Sequence, residues 1–209
     1  MYDLLAADHG ERLALPGGDL VFWPRVDLGD DYITLLHRLI ADSAWRQERI
    51  TVYGKPYLQP RLSAWYGDLS YRYSGIRLEP LPWTPLLLEL RRRVESLTGC
   101  DYNSVLLNYY RDGNDGMGMH SDDERELGPQ PSIASLSLGE TRDFVMRHRH
   151  RGDLDTLKLP LPAGSLLLMQ GDTQRNWRHG IRKLRRACGP RLNLTFRRVF
   201  PPGDEGGAA

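Results

Sequence analysis

The chain has 209 residues, of which 40% are hydrophobic and 26% are charged, and this balance excludes collagen-like, coiled-coil and largely disordered classes. A formal net charge of +1 gives no overall preference for a polyanion, so any such preference must come from local clusters. No apolar stretch approaches the thickness of a bilayer, and the first residues lack the order of a signal peptide. We therefore expect no membrane association and a cytoplasmic location, or a nuclear one if the source is eukaryotic.

The first hundred residues predict a lead-in with a short strand near 20–23, followed by two amphipathic helices. The first helix follows Asp31, where the apolar residues recur at helical spacing through Trp45. The second is well delimited, because Thr84 can cap it, Pro85 suits its first position and Gly99 can end it. Two cysteines, Cys100 and Cys188, are too few for a disulfide framework or a cysteine-rich zinc site.

After residue 100 the sequence changes to short runs of β-branched and aliphatic residues separated by Gly, Pro and Asp, which is typical of antiparallel β structure. We predict strands at 104–110, 117–120, 133–138, 142–148, 164–169, 177–181 and 190–199. So many strands without intervening helices favour a mainly β, jelly-roll architecture with flanking helices, of the α+β class. We expect one structural domain, in which an extension (1–100) packs on a β core (101–200), followed by a disordered tail (201–209).

The most informative motif is His120-Ser121-Asp122, with His179 far downstream. Side chains two apart in an extended segment point to one face, so His120 and Asp122 can bind one ion, and a histidine from a later strand can complete the set. Two imidazoles and one carboxylate suit Fe(II) oxygen chemistry, whereas zinc with the same ligands would serve a hydrolase. The triad alone does not decide the metal, and a histidine that merely bonds a loop is the alternative.

A second motif lies near the end of the β region, where a strand would carry one apolar and one polar face. The polar face would hold Arg191, Asn193, Thr195 and Arg197. If it points into a barrel, its charges need an anionic partner, and a dicarboxylate held by guanidinium groups meets that need. A strand whose polar face is solvated is the alternative.

Together the two motifs resemble the AlkB family of Fe(II), 2-oxoglutarate-dependent alkylation-repair dioxygenases. The likeness covers about residues 52–200 in collinear order, through the segments 108–113, 119–127, 133–139, 142–145, 171–181 and 191–197. The acidic run after His120 and the triplet Tyr66-Gly67-Asp68 are most similar to the DNA-acting animal members and to bacterial relatives.

This resemblance implies a double-stranded β-helix that uses Fe(II), 2-oxoglutarate and O2. It implies that the metal is held by His120, Asp122 and His179. It also implies that 2-oxoglutarate is surrounded by Asn108, Tyr110, Arg191, Thr195 and Arg197, while Asn193 supports them through hydrogen bonds.

The aromatic residues that precede the second helix predict a place for a base. In a short strand Tyr71 and Tyr73 would share one face, where a flat heterocycle can stack, and the resemblance places Tyr73 and His120 on opposite sides of an extruded base. The predicted substrate contacts are Tyr53, Tyr66, Tyr71, Tyr73, Asp123 and Glu124. Of the two acidic residues, Glu124 is the preferred candidate to face a cationic methylated base. The alternative for the aromatic residues is burial in the core, and the alternative for the acidic pair is a solvated turn.

The nucleic-acid backbone would be contacted by basic side chains, for each of which a plain surface role is the alternative. These are Arg147, His148, Arg149, Arg151, Lys183, Arg185 and Arg186. The segment 52–55 resembles the finger that duplex-acting relatives insert into DNA, but Tyr53 replaces an apolar wedge, which leaves strand preference open.

The function implied is oxidative demethylation of 1-methyladenine and 3-methylcytosine type bases in single- or double-stranded DNA, with succinate and formaldehyde released. The alternatives are the same chemistry on RNA or another alkylated substrate, and a nucleic-acid-binding module without catalysis. A sugar-binding or cupin-like jelly roll is a more distant one. We expect a monomer.

Overall fold

A computed structural model describes residues 9–52, 55–69, 71–73 and 76–201, and for the strands within 50–56 and 71–78 it describes the backbone only. In these ranges the chain forms three α-helices and fifteen strands. The helices are α1 (Tyr32–Asp42), α2 (Pro85–Thr98) and α3 (Thr173–Asn176), with a 3-10 turn at Arg125–Leu127. The strands are β1 (Glu11–Leu13), β2 (Asp19–Trp23), β3 (Arg49–Val52), β4 (Lys55–Leu58), β5 (Leu62–Gly67), β6 (Tyr71–Tyr73), β7 (Ile76–Leu78), β8 (Ser104–Tyr110), β9 (Met117–His120), β10 (Ile133–Gly139), β11 (Arg142–His148), β12 (Leu157–Leu161), β13 (Leu166–Gln170), β14 (Trp177–Ile181) and β15 (Arg191–Arg197).

Two antiparallel sheets form the core of the fold. The larger has the order β1-β2-β13-β10-β15-β8-β5, and the smaller has the order β12-β11-β14-β9. The eight strands after residue 100 are divided equally between them, with four in each sheet. This is the jelly-roll arrangement that the sequence predicts, and the mainly β fold class is confirmed.

The large sheet is apolar on both sides, and its strands alternate between two hydrophobic cores. Val105 and Leu107 of β8 pack with the helices α1 and α2, whereas Leu106 and Tyr110 pack between the two sheets. In β15 the apolar residues Leu192, Leu194 and Phe196 all belong to the helix-side core. Because side chains alternate along a strand, the polar residues of β15 must point into the space between the sheets.

Both major helices begin as the sequence predicts. The Asp31 carboxylate accepts hydrogen bonds from the backbone N–H groups of Ile33 and Thr34 at the start of α1. Thr84 accepts from Leu87 N–H at the start of α2, and Gly99 ends that helix with a φ of 67°, in the left-handed region that favours glycine. Trp45 lies beyond the end of α1 and packs against Tyr109 of the large sheet.

Residues before 100 contribute more β structure than the sequence indicates. Strand β5 pairs with β8, and β2 pairs with β13, so both belong to the large sheet. Strand β5 is buried along most of its length and therefore lacks the alternation of polar and apolar residues by which strands are recognised. Strand β12 was also not predicted; it carries Pro160 and lies at an edge of the small sheet, where proline is tolerated.

Two expectations concern residues outside the described ranges. The inserted finger depends on Tyr53, and the predicted disordered tail, apart from Pro201, is the segment 202–209. No helix in the part of the chain that the structure describes is both long and apolar enough to cross a membrane.

Candidate active site

The three predicted metal ligands converge between the sheets. His120 is the last residue of β9 and is the register partner of His179 on β14, and the two ring centroids lie 4.3 Å apart. Asp122 follows β9 by two residues. One ligand atom from each of the three residues lies within 4.8 Å of the others. Antiparallel pairing of β9 with β14 therefore brings together residues that are 59 positions apart in the sequence.

The hydrogen bonds of the triad fit it to a cation. His120 Nδ1 lies 3.0 Å from the Gly118 carbonyl oxygen, which can only accept, so Nδ1 carries the proton and Nε2 presents its lone pair. Nε2 lies 3.6 Å from Asp122 Oδ1. Asp122 Oδ1 and His179 Nδ1 are buried and have no hydrogen-bond partner among the described residues. A metal ion bound by the triad would stabilise such unpaired polar groups in the interior.

Asp122 is held in its ionised form. Burial alone would raise the pKa of this carboxyl, but the charge of Arg197 and the two neighbouring imidazoles outweigh burial and hold the pKa well below its ordinary value. Arg197 Nη2 donates to Asp122 Oδ2 at 2.8 Å, and the Asp122 backbone N–H donates to Gln174 Oε1 at 3.0 Å. Only one carboxylate oxygen, Oδ1, is thus left to face the histidines.

His179 is held in its neutral form, which is the form that binds metals. Burial lowers its pKa to about 3, and the adjacent His120 ring acts in the same direction. The Phe144 ring stacks on it at a centroid distance of 5.0 Å. Its neighbour Gly180 is required for close approach of β9 to β14, because a Cβ there would lie 2.8 Å from the Met117 carbonyl oxygen.

A cavity extends from the triad to Arg191 and has about 400 Å³ of empty space, its mouth included. Arg191 is 1% exposed, and its guanidinium carbon lies 5.1 Å from the centre of the Tyr110 ring. Its Nη2 donates to Ser137 Oγ at 2.9 Å. Its Nε and Nη1 atoms make no hydrogen bond within the described ranges. Burial lowers the pKa of Arg191 below its ordinary value. The lining of the cavity therefore includes buried donors that can bind an anion.

Polar side chains on neighbouring strands form a network along one wall of the cavity. Thr195 Oγ1 donates to Asn193 Oδ1 at 2.9 Å, and Asn193 Nδ2 donates to Ser135 Oγ at 2.8 Å. Asn108 lies beside Asn193, and its Oδ1 accepts from Arg61 Nε at 2.6 Å. All six predicted cofactor residues line this one cavity. The side chain of Asn193 makes hydrogen bonds with three of these neighbours, and its supporting role toward 2-oxoglutarate stays a prediction.

Several residues that complete the site were not singled out from the sequence. Ser135 and Ser137 alternate with apolar residues along β10, and that alternation was the available signal. The others, Arg61, Phe144 and Gln174, carry no local signal. Their contacts with the site join residues 35 to 52 positions apart in the sequence.

The four aromatic residues among the predicted substrate contacts divide into three groups. Tyr66 faces away from the cavity: it is 4% exposed in the helix-side core, and its hydroxyl accepts from Ala44 N–H, so the prediction that it contacts a base disagrees with the structure. Tyr71 and Tyr73 occupy alternate positions of β6, as predicted. For these two residues the structure describes the backbone only. Tyr53 lies outside the described residues.

The two predicted acidic contacts differ in their surroundings. Asp123 is exposed, and its Oδ2 accepts from Arg149 Nη1 at 2.6 Å. Glu124 is partly buried immediately before the 3-10 turn. Arg149 therefore neutralises Asp123 in this structure.

Most of the predicted phosphate contacts are exposed, but several have acidic or structural partners. Arg151 pairs with Asp153, Arg186 pairs with Glu140, and His148 Nδ1 accepts from the backbone of the turn that follows it. Lys183 and Arg185 are also exposed.

Arg147 lies directly opposite Arg178 in the pairing of β11 with β14, and both are exposed. Arg178 was not among the predicted contacts.

Comparison with known proteins gives concordant matches. The family model described as 2OG-Fe(II) oxygenase superfamily matches residues 30–197. The rat protein named alpha-ketoglutarate-dependent dioxygenase alkB homolog 3 is 45% identical over 183 residues, which are 81% of this chain and 62% of the rat protein. The mouse protein named DNA oxidative demethylase ALKBH2 is 41% identical over 194 residues, which are 83% of this chain and 81% of the mouse protein.

The chain spans about three fifths of the length of the homolog 3 relatives that it matches. A solved structure described as "The structure of OsALKBH1" has a TM-score of 0.59 at 18% identity and covers 90% of this chain and 100% of the other. That likeness shows the same fold.

Proposed function

The chain belongs to the 2OG-Fe(II) oxygenase superfamily and, within it, to the AlkB family, and on this basis we propose that it oxidatively demethylates N-alkylated nucleic-acid bases. The proposed substrates are 1-methyladenine and 3-methylcytosine type bases in DNA, and the proposed products are the repaired base, formaldehyde, succinate and carbon dioxide. The name of the mouse relative, a DNA oxidative demethylase, supports DNA as the substrate.

One observation carries the proposal: a single cavity joins an open cation site to an open guanidinium. Asp122 Oδ1 and His179 Nδ1 belong to the triad, and Arg191 Nε and Nη1 belong to the guanidinium. All four atoms are buried and have no hydrogen-bond partner within the described ranges, and the three residues line the same cavity. A dicarboxylate that binds a metal ion through one end and an arginine through the other satisfies both ends at once. This is the requirement of 2-oxoglutarate as a cosubstrate.

The residues that line the cavity would have three different roles in this reaction. His120, Asp122 and His179 would hold Fe(II), which when bound supplies the oxidising chemistry with O2. Arg191 would bind the distal carboxylate, with its guanidinium oriented by Ser137. Phe144, Met117 and Ile181 line the same cavity and would exclude water from the reacting methyl group.

The nucleic-acid partner is supported by the outer face of the small sheet. Arg147 and Arg178 are cross-strand neighbours, and like charges at such positions destabilise a sheet unless an anion lies between them. Neither residue forms an ion pair in the described part of the chain. A backbone phosphate would relieve this repulsion. A monomeric state and a cytoplasmic location, or a nuclear one in a eukaryote, belong to the same proposal.

The test is formaldehyde release from oligonucleotides that carry 1-methyladenine, with iron and 2-oxoglutarate present or withheld. We expect formaldehyde and succinate in equal amounts from DNA, and loss of both in His120→Ala. Single-stranded DNA, duplex DNA and RNA are compared at equal lesion concentration. Turnover of RNA alone would replace DNA as the substrate, and no turnover of any of the three would refute base demethylation.

A further inference from the structure

Gln174 is a buried amide that contacts the metal-binding loop without being a metal ligand. It lies in α3, only 2% exposed, and its Oε1 accepts the backbone N–H of Asp122 at 3.0 Å. Helix α3 leads directly into β14, which carries His179. The amide therefore connects the second ligand of the triad to the segment that supplies the third.

The orientation of this amide is determined by its neighbours. A backbone N–H can only donate, so the oxygen of Gln174, and not its nitrogen, must face Asp122. The amide nitrogen lies 3.4 Å from the sulfur of Met169, a weak acceptor that also lines the cavity. Gln174 thus makes one strong hydrogen bond with its side chain, and that bond is to the ligand loop.

Two further contacts tie the same loop to its surroundings. Ser121 Oγ donates to the Trp177 carbonyl oxygen at 2.9 Å, and Arg149 Nη1 donates to Asp123 Oδ2 at 2.6 Å. The Ser121 contact is partly buried, whereas the Gln174 contact is buried. The buried hydrogen bond has the larger influence, because an N–H group left without a partner in the interior has no water to bond instead.

We propose that Gln174 is a positioning residue that fixes Asp122 relative to His179, so that the carboxylate is already in place when the metal ion binds. The proposal rests on the metal-binding part of the proposed function and is independent of the substrate. Arg197, on β15 of the large sheet, holds the side chain of Asp122, and Gln174, on α3, holds its backbone. Loss of the Gln174 acceptor should let the loop move and weaken the metal site.

The decisive variant is Gln174→Met, which has a similar length and no acceptor. We expect the dissociation constant for Mn(II), measured by calorimetry on the metal-free protein, to rise about 10- to 100-fold. Gln174→Glu keeps an oxygen toward the N–H and adds negative charge near the cation, so its Mn(II) affinity should stay at or above that of the unmodified protein. Gln170→Met is the matched control, since its amide bonds Ser132 and Cys100 outside the triad.

A second measurement separates positioning from general stability. The Co(II) absorption spectrum should change in Gln174→Met and not in Gln170→Met, even where urea unfolding gives both variants equal midpoints. Unchanged Mn(II) affinity in Gln174→Met, or an equal loss in Gln174→Glu, would overturn the proposal. If Gln174→Met does not fold, Gln174→Asn, which withdraws the oxygen by one methylene, should also weaken Mn(II) binding. Because these are binding measurements, failure of base demethylation leaves them interpretable.

Discussion

Arg197 and Asp122 form an ion pair that links the two sheets, with Arg197 Nη2 2.8 Å from Asp122 Oδ2 and the side chains 2% and 1% exposed. In this pair Asp122 Oδ2 accepts a hydrogen bond from Arg197, and Oδ1 is left for a metal ion. It also means that the last strand of the jelly roll, β15, helps to build a site whose ligands come from the small sheet and the loop after it.

Removal of Arg197 should destabilise the protein strongly. In Arg197→Met the Asp122 carboxylate is buried without its cation, and breaking such a pair costs about 3–5 kcal/mol in the free energy of unfolding. Urea unfolding of the metal-free protein measures this. The double variant Arg197→Met with Asp122→Asn should recover a large part of the loss.

The exposed pair Arg198 with Asp101 provides the control for that prediction. Its atoms lie 3.5 Å apart and both side chains are more than half exposed, so Arg198→Met should change the free energy of unfolding by less than about 1 kcal/mol. Equal losses in the two arginine variants would contradict a special role for the buried pair.

Ser137 should influence 2-oxoglutarate binding through Arg191. Without the Ser137 hydroxyl, the guanidinium loses the acceptor that fixes Nη2, and a hydrogen bond to a charged group contributes about 1.5–3 kcal/mol. We expect Ser137→Ala to weaken 2-oxoglutarate binding about 10-fold or more, and Arg191→Met to abolish it, in calorimetric titrations with Mn(II) present. Ser132→Ala, outside the cavity lining, should bind normally. An unaltered affinity in Ser137→Ala would show that Tyr110 alone orients Arg191.

Parts of this site follow directly from residue spacing, and other parts depend on the pairing of strands. The two-residue spacing of His120 and Asp122 predicts that they share a face, and their ligand atoms do lie close together. The alternation along β15 predicts that its polar residues share a face, and they do line one cavity. Tyr66 could not be assigned in this way, because Trp65 and Tyr66 are adjacent aromatics. Only the register decides: Trp65 pairs with Leu106 of the inter-sheet core, and Tyr66 pairs with Val105 of the helix-side core.

The metal-free protein should lose stability as the pH falls below about 6.5. The folded-state pKa of His179 is about 3, below its ordinary value of 6.5, so the unfolded chain binds more protons between these two values. Stability therefore rises with pH across that window, by at most about 1.4 kcal/mol per pH unit for one group. The lowered pKa of Asp122 adds a loss only below its ordinary value of 3.8.

Urea midpoints measured with a chelator at several pH values test this window. The dependence should be shallower in His179→Gln, which removes the titrating group. Equal slopes in the two proteins would mean that His179 is not held neutral by burial.

Glu124 and Asp123 should differ in their effect on charged substrates. Arg149 already neutralises Asp123, so Asp123→Asn should change turnover of cationic 1-methyladenine less than Glu124→Gln does. In the background of Arg149→Gln the effect of Asp123→Asn should increase. Formaldehyde release from 1-methyladenine and from neutral 1-methylguanine, compared in the same oligonucleotide, checks this. A larger effect of Asp123→Asn in the unmodified background would contradict the assignment.

The outer face of the small sheet should contribute to nucleic-acid affinity through charge alone. Arg147 and Arg178 repel each other across the β11–β14 pair, so a phosphate bound between them releases counterions and relieves that repulsion. Arg147→Gln or Arg178→Gln should therefore weaken binding of single-stranded DNA and reduce the slope of log affinity against log salt by about 0.7 for each phosphate that is no longer neutralised. Fluorescence anisotropy between about 50 and about 200 mM salt measures the slope. Arg38→Gln, an exposed change on α1 far from the site in sequence, should leave it unchanged, and the same slope in all three variants would exclude this face from the interface.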